Sequence, residues 1–104
     1  MESVSDQQFS DWAERLNHSD ERALDELFEH TFEVFVKFAW RYTHDKASAI
    51  DVVQETFIKL WQIRAELDPA QSLKTYIYRM VRNNALNHLR DHRQPTISVD
   101  DLSL

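Results

Sequence analysis

The chain has 104 residues, of which 42% are hydrophobic and 12% aromatic, and its net charge is −6. This length suits one compact domain, and the apolar content is too high for a disordered chain. Glycine and cysteine are absent, which excludes disulfides and thiolate metal sites and disfavours tight β-hairpins. No apolar run approaches the roughly 18 residues that span a bilayer, so we expect a cytoplasmic protein without membrane insertion.

Apolar residues recur at steps of three and four and predict four helices, at about residues 6–17, 20–42, 47–64 and 73–92. Ser19 is a candidate N-cap of the long second helix, and Ser72 of the fourth. Pro69 marks the loop before the fourth helix, and Pro95 is expected to close it. The predicted fold class is all-α, a compact bundle of four helices formed by residues 1–94, with a linker beginning at residues 95–104.

The charge is distributed unevenly along these elements. Residues 1–36 contain ten acids and two arginines, whereas residues 71–94 contain one lysine, four arginines and a single acid. The fourth helix is therefore basic in an acidic protein. A block of like charge is most often a solvated face, so charge alone does not decide between a polyanionic partner and solvent.

The fourth helix has two unlike faces. A helical wheel at roughly 100° per residue places Ile77, Val81, Ala85 and Leu89 on the core side. The opposite arc of about 80° holds Tyr76, Arg79, Asn83, Asn87 and Arg90, flanked by Arg82 and Leu86. Amides suit base edges, arginine suits phosphates and tyrosine offers a stacking surface. This face favours a nucleic-acid interface, and a solvated amphipathic helix is the alternative.

The third helix carries a second outward face of different chemistry. It combines carboxylates and amides with an apolar side chain and a lysine: Asp51, Gln54, Glu55, Ile58, Lys59 and Gln62. This mixture suits a protein partner, although an isolated exposed isoleucine is common on any protein surface.

The string DVVQETFIKLW, followed after a loop by LKTYIYRMVRNNALNHLR, resembles region 2 of bacterial sigma factors of the extracytoplasmic-function (ECF) group. The resemblance covers residues 20–94, and the pattern D-x-x-Q-E-x-F-x-x-L-W is far more restrictive than a generic amphipathic helix. It implies a sigma region 2 type domain that binds core RNA polymerase and recognises and melts the promoter minus-ten element. It assigns Asp51, Gln54 and Glu55 to the clamp helices of the largest polymerase subunit. With Ile58 and Gln62 of the same helix face, they form the predicted core-polymerase-binding set.

The resemblance also implies that the loop at residues 67–73 and the fourth helix capture a flipped base of the non-template strand. Tyr76 would stack on this base, and Asn83 and Asn87 would read near it. The predicted DNA-binding residues are Leu67, Lys74, Tyr76, Arg79, Arg82, Asn83, Asn87 and Arg90. The sequence differs from the family pattern at Leu67, where an aromatic wall would be better, and at Tyr76, where tryptophan is frequent.

ECF relatives continue into a helix-turn-helix domain that binds the minus-thirty-five element, so we expect this chain to be a fragment without it. An anti-sigma factor is a further implied partner. One alternative is a sigma mimic that binds an anti-sigma protein without contacting DNA, and another is a helical interaction module without polymerase contact. The base-reading residues favour a working sigma factor over both.

Catalytic and metal sites find little support in the sequence. The carboxylates are scattered, no glycine-rich phosphate loop exists, and no nucleophile is paired with a base. His88 and His92 have a spacing that can hold zinc, but no third ligand is fixed by spacing. We therefore predict neither an enzyme, nor a cofactor, nor a metal site.

Overall fold

The computed structural model describes residues 4–96, and the side chains of residues 4–91. Four helices follow one another: α1 (Asp6–Asn17), α2 (Glu21–Thr43), α3 (Lys46–Gln62) and α4 (Leu73–Thr96). A short 3₁₀ turn at Arg64–Glu66 stands between α3 and α4. Residues 4–96 contain no β-strand. The predicted all-α, four-helix fold is confirmed.

Two predicted helix ends differ from the observed ones by more than one residue. α3 ends at Gln62 rather than residue 64, because the chain tightens there into the 3₁₀ turn. α4 continues to Thr96, four residues past its predicted end, so Pro95 lies inside the last turn. A proline lacks the N–H that would bond to the carbonyl four residues earlier, and the helix ends one residue after this missing bond. Residues 97–104 of the predicted linker lie outside the described residues.

The helix starts are fixed by side-chain caps. The capping oxygens accept backbone N–H bonds of 2.9–3.1 Å and belong to Ser5, Asp20, Asp45 and Ser72. The prediction for Ser72 is confirmed, whereas Ser19 as the cap of α2 is wrong. Asp20 takes that role, and Ser19 has a φ of 63°. The turn between α1 and α2 requires this left-handed conformation, which the glycine-free chain assigns to a serine at a steric cost.

The core lies where α2, α3 and α4 meet, and α1 packs against α2 and α4. α4 contributes Leu73, Ile77, Val81 and Ala85, all buried, while Leu89 at its far end is half-buried. On the α2 side, Tyr78 packs edge-on against Phe35 and Phe38, with ring centroids 4.8 Å apart in both pairs. The inner side of α4 is therefore fully engaged, and its opposite side is left to solvent.

A charged network holds α1 on α2. Arg15 donates to Asp20 Oδ2 (2.9 Å) and through two nitrogens to the Glu26 carboxylate (2.8 and 3.1 Å). Trp12 Nε1 donates to Glu26 as well, at 3.0 Å. These donors favour the charged carboxylate, chiefly Arg15 and then Trp12, and lower the pKa of Glu26 to about 2. The network fixes the position of α1 beside the loop that precedes α4.

Candidate nucleic-acid and protein interfaces

The outer face of α4 presents nearly all the predicted DNA-contacting side chains to solvent. Tyr76, with 36% of its surface accessible, is joined in the exposed class by Lys74, Arg79, Arg82, Asn83, Asn87 and Arg90. Between residues 73 and 91, Asp91 is the one acidic residue against four cations. The buried stripe on the other side keeps α4 from rotating, so this cationic face has a fixed orientation.

A small cavity opens beside the first turn of α4, and we call it the loop pocket. Its volume is about 200 Å³, and its lining comes from α1, the preceding loop and α4: Ala13, Glu66, Leu67, Asp68, Gln71, Ser72, Leu73 and Tyr76. Sites for drug-sized ligands occupy roughly 300–1,000 Å³. The loop pocket therefore suits a single planar ring system better than a whole nucleotide.

The loop that lines this pocket is well ordered by its own hydrogen bonds. Gln71 N–H donates to Asp68 O (2.9 Å), and Ala70 N–H donates to Asp68 Oδ1 (3.0 Å). Asp68, Pro69, Ala70 and Gln71 thus form a tight turn with aspartate first and proline second, the positions these residues prefer. Two predicted site residues, Leu67 and Tyr76, meet at this pocket.

The two predicted base-reading amides do not line the loop pocket. Asn83 and Asn87 follow Tyr76 by seven and eleven residues, or about 10 and 16 Å along the helix axis. Asn87 Oδ1 accepts a hydrogen bond of 2.8 Å from Arg90 Nη2. This contact engages one lone pair of the carbonyl oxygen, which can accept a second hydrogen bond, and the amide N–H groups are donors. The two amides therefore lie further along the exposed face of α4 and not beside the loop pocket.

Sequence reasoning missed the neighbouring Asn84. Its Nδ2 donates to Thr56 Oγ1 at 2.8 Å, and Thr56 Oγ1 in turn donates to Val52 O at 2.8 Å. Thr56 is fully buried in α3, and Asn84 is half-buried in α4. The available signal was a threonine inside the apolar stripe of α3, since a buried hydroxyl needs a partner.

The predicted protein-binding face of α3 is exposed, with 60% of Ile58 accessible. Asp51, Gln54, Glu55 and Gln62 are exposed alongside it. An apolar groove of about 500 Å³ runs between this face and α2, and its lining is Leu24, Phe28, Gln54, Phe57, Ile58, Trp61 and Gln62. We call it the α2–α3 groove. The contribution of α2 was not predicted, because periodicity does not show which neighbour borders a helix face.

The described part of the structure contains neither a candidate metal site nor a candidate membrane-spanning helix. Among those residues, no group of three or more His, Asp or Glu side chains could hold a metal ion. The His92 side chain lies outside the described set. No helix among the described residues is long and apolar enough to cross a membrane.

Comparisons with known proteins point to a single family. The family model for sigma-70 region 2 matches residues 27–94. The RNA polymerase sigma-H factor of Pseudomonas aeruginosa is 32% identical over 98 residues, covering 92% of this chain and 51% of that protein. The ECF RNA polymerase sigma factor RpoE of Cereibacter sphaeroides is 31% identical over 80 residues, covering 76% and 44%.

A solved structure is similar over the whole chain. It is the NMR structure of an engineered region 2 of sigmaE in complex with GTAAAA, with a TM-score of 0.74 and 27% identity, covering 100% of this chain and 99% of that one. The chain therefore belongs to the sigma-70 region 2 family, in the ECF group that the D-x-x-Q-E-x-F-x-x-L-W pattern predicted. It spans about half the length of the curated relatives it matches.

Proposed function

We propose that this domain acts in transcription initiation in the cytoplasm, where it binds core RNA polymerase and captures one flipped base of the promoter minus-ten element. The observation that carries the proposal is the loop pocket beside Tyr76, at one end of an exposed cationic helix face. A duplex base must leave the stack to enter such a pocket, at a cost of a few kcal/mol. An aromatic platform offsets this cost by about 1–3 kcal/mol per stacked base.

The pocket chemistry favours a base over a phosphate. Glu66 and Asp68 line it, and their carboxylates repel a phosphate while accepting hydrogen bonds from an exocyclic amino group. Adenine, cytosine and guanine carry such a group, whereas thymine does not. We therefore expect an amino-bearing base in the loop pocket, with its phosphates outside along α4.

The rest of the strand is proposed to follow the α4 face. Arg79, Arg82 and Arg90 would hold phosphates, as arginine does in other nucleic-acid interfaces. From Tyr76 to Arg90 is fourteen residues, or about 21 Å of helix, and a stacked strand advances about 3.4 Å per nucleotide. About six nucleotides therefore match the length of this face. The N–H groups of the exposed Asn87 would pair with acceptor atoms on a base edge.

The α2–α3 groove supports the polymerase-binding part of the proposal. Its apolar floor and the exposed Ile58 suit the apolar stripe of a partner helix. Asp51 and Glu55 on the same face would pair with basic residues of the polymerase clamp helices, which favours association and fixes the binding orientation. An anti-sigma factor would compete for this surface if it covers the same groove.

The DNA-binding part is tested by selecting from a single-stranded library with six randomised nucleotides and sequencing what the domain retains. We expect an enriched motif, with one position at which an abasic nucleotide weakens binding about tenfold, in line with one lost stacking contact. Tyr76→Ala should remove the abasic penalty, and Asn87→Ala should relax preference at a different position. Arg79→Ala should weaken all sequences evenly and lower the salt slope by about 1.

Arg41→Ala provides the matched control, because Arg41 is an exposed cation on α2 rather than α4. Its binding curves and salt slope should equal those of the wild type. A library that emerges without any motif would refute the DNA-binding proposal and leave the sigma mimic in its place.

The polymerase-binding part is tested by capture of the domain on a clamp-helix fragment of the largest polymerase subunit. Glu55→Lys and Ile58→Glu should each reduce capture at least tenfold, and Gln54→Ala less. Glu33→Lys is the control, since it makes the same charge reversal on α2 outside the groove. Undiminished capture of both Glu55→Lys and Ile58→Glu would contradict the assignment of this surface.

A further inference from the structure

The last turn of α1 makes close contacts with residues 64–67, which lead into the loop pocket. Asn17 Nδ2 lies 3.3 Å from Arg64 O, 3.3 Å from Ala65 O and 2.9 Å from Leu67 O. All three neighbours are acceptors, so only the amino end of the amide can face them. The final carbonyls of a helix have no partner inside it. Arg64 O accepts a hydrogen bond from Leu67 N–H within the 3₁₀ turn (3.2 Å). Asn17 supplies a partner for Ala65 O and Leu67 O, from almost fifty residues away in the chain.

Arg64 ties the same segment to the turn after α1. Its Nε donates to Ser19 Oγ (2.9 Å), and its Nη1 donates to Trp61 O (2.7 Å). The guanidinium carbon lies 3.9 Å from the centre of the Trp61 ring, within the range of a cation–π contact. Ser19 offers its hydroxyl from a left-handed backbone conformation. Residues 64–67 are thus held from both sides, by α1 and by the end of α3.

α1 also forms part of the pocket itself. Ala13, one turn before Asn17, lines the cavity and is almost fully buried. Leu67, whose carbonyl receives the shortest of the Asn17 contacts, lines it too. The family model matches residues 27–94, so α1 lies outside the matched segment. The contribution of α1 to the pocket is seen only in the tertiary structure, where Ala13 lines the cavity.

We infer that α1 is a working part of the base pocket, and that Asn17 is a positioning residue that holds residues 64–67 in the base-accepting conformation. The inference rests on the proposed capture of a base. A pocket that is ordered before binding loses less conformational entropy when the base enters. Without the Asn17 hydrogen bonds, residues 64–67 adopt the base-accepting conformation only part of the time. The apparent affinity for the base then falls by that fraction.

The cationic face of α4 does not depend on the hydrogen bonds of Asn17. Its side chains stand on a helix that is anchored by its own buried stripe, so contacts to phosphates should survive when residues 64–67 loosen. The inference therefore separates two quantities. Base capture should decline, while sequence-independent binding to the strand should persist, and a general loss of folding would not produce this pattern.

The test is a cycle that combines two proteins with two oligonucleotides. The proteins are the wild-type chain and Asn17→Ala, and the oligonucleotides are the best library sequence and its abasic form at the captured position. We expect an abasic penalty of about tenfold for the wild type and of at most about twofold for Asn17→Ala. The dissociation constants for the abasic strand should agree within about twofold. Asn17→Asp, which cannot donate to the three carbonyls, should behave like Asn17→Ala.

Val53→Ala is the control for lowered stability, because it truncates a fully buried core residue of α3 away from the loop. It should lower the unfolding temperature and keep the full abasic penalty. An undiminished penalty in Asn17→Ala, measured where the variant is folded, would overturn the inference. Should Asn17→Ala fail to fold, the isosteric Asn17→Asp decides instead. It keeps the size of the side chain and removes the donor to the three carbonyls, and an unchanged penalty in that variant overturns the inference.

The outcome also distinguishes this inference from the proposed function. If no abasic position weakens binding by the wild type, base capture itself fails, and the positioning role of Asn17 fails with it. If the wild type shows the penalty and Asn17→Ala retains it, base capture stands and α1 is only a structural helix.

Discussion

Replacing Thr56 by valine should reveal how α3 and α4 are held in register. Valine keeps the shape and removes the hydroxyl, so Asn84 Nδ2 loses the acceptor that lies 2.8 Å away. The lost hydrogen bond costs about 1 kcal/mol, and leaving a polar group without its partner adds about 1–3 kcal/mol when the group is fully buried. Asn84 is only half-buried, so water recovers most of the second contribution. We expect a net loss of about 1.5 kcal/mol.

A double-mutant cycle isolates the pair. Asn84→Leu should cost about 1 kcal/mol, because it leaves the Thr56 oxygen without its donor while leucine improves helix propensity by about 0.5 kcal/mol. The double variant has neither unpaired group. Its loss should be smaller than the sum by about 1 kcal/mol, a coupling in the range found for contacting residues.

Urea unfolding followed by circular dichroism and tryptophan fluorescence provides the measurement. With a urea dependence of about 1–3 kcal/mol/M, the Thr56→Val midpoint should fall by about 1 M. Asn83→Leu is the matched control, since it makes the same substitution at the adjacent exposed position and should leave stability unchanged or slightly higher. Additivity of Thr56→Val and Asn84→Leu within about 0.3 kcal/mol would refute the proposed tie between the helices.

Three further predictions concern the helix ends and the network on α1. His44 ends α2 with a φ of 55°, so His44→Gly should stabilise the domain by about 1 kcal/mol by removing the left-handed penalty, seen as a rise in melting temperature of about 4–8 °C. Ser72→Ala removes the cap of α4 and should cost about 1 kcal/mol in the same assay; no change would mean that Thr75 N–H finds water instead. Because the folded pKa of Glu26 is lowered from 4.5 to about 2, its stabilising effect is complete above pH 4.5 and is lost as the pH falls toward 2. Glu26→Gln should therefore flatten the pH dependence of unfolding in that range, and an unchanged slope would contradict the strength of the Arg15 contact.

The sequence predicted the helices well, because each has one apolar side that repeats at the helical period. The α4 stripe at Ile77, Val81 and Ala85 was placed correctly, and so was the cap at Ser72. The errors fall at boundaries. Pro95 did not stop α4, and Asp20 rather than Ser19 caps α2, since the choice between adjacent polar residues depends on the backbone angles of the turn.

The candidate sites, too, were predicted from the sequence only in part. The wheel showed that Asn83, Asn87 and the arginines face outward, and the D-x-x-Q-E-x-F-x-x-L-W pattern identified the family. Neither of them showed that Leu67 and Tyr76 both line the loop pocket, whereas both amides lie further along the helix. That separation follows from the axial rise of α4 and the path of the loop before it.

For this chain, the amino-acid order alone determined where the helices lie, which side of each is apolar, and the group of proteins to which it belongs. Only the tertiary structure decided which helix faces which. It set Asn17 against the carbonyls of residues 64–67, paired Asn84 with Thr56, and joined α2 to α3 along an apolar groove. Periodicity depends on neighbours three and four residues apart, whereas these contacts join residues between 28 and 50 apart. Their formation depends on how whole helices pack, which no local pattern specifies.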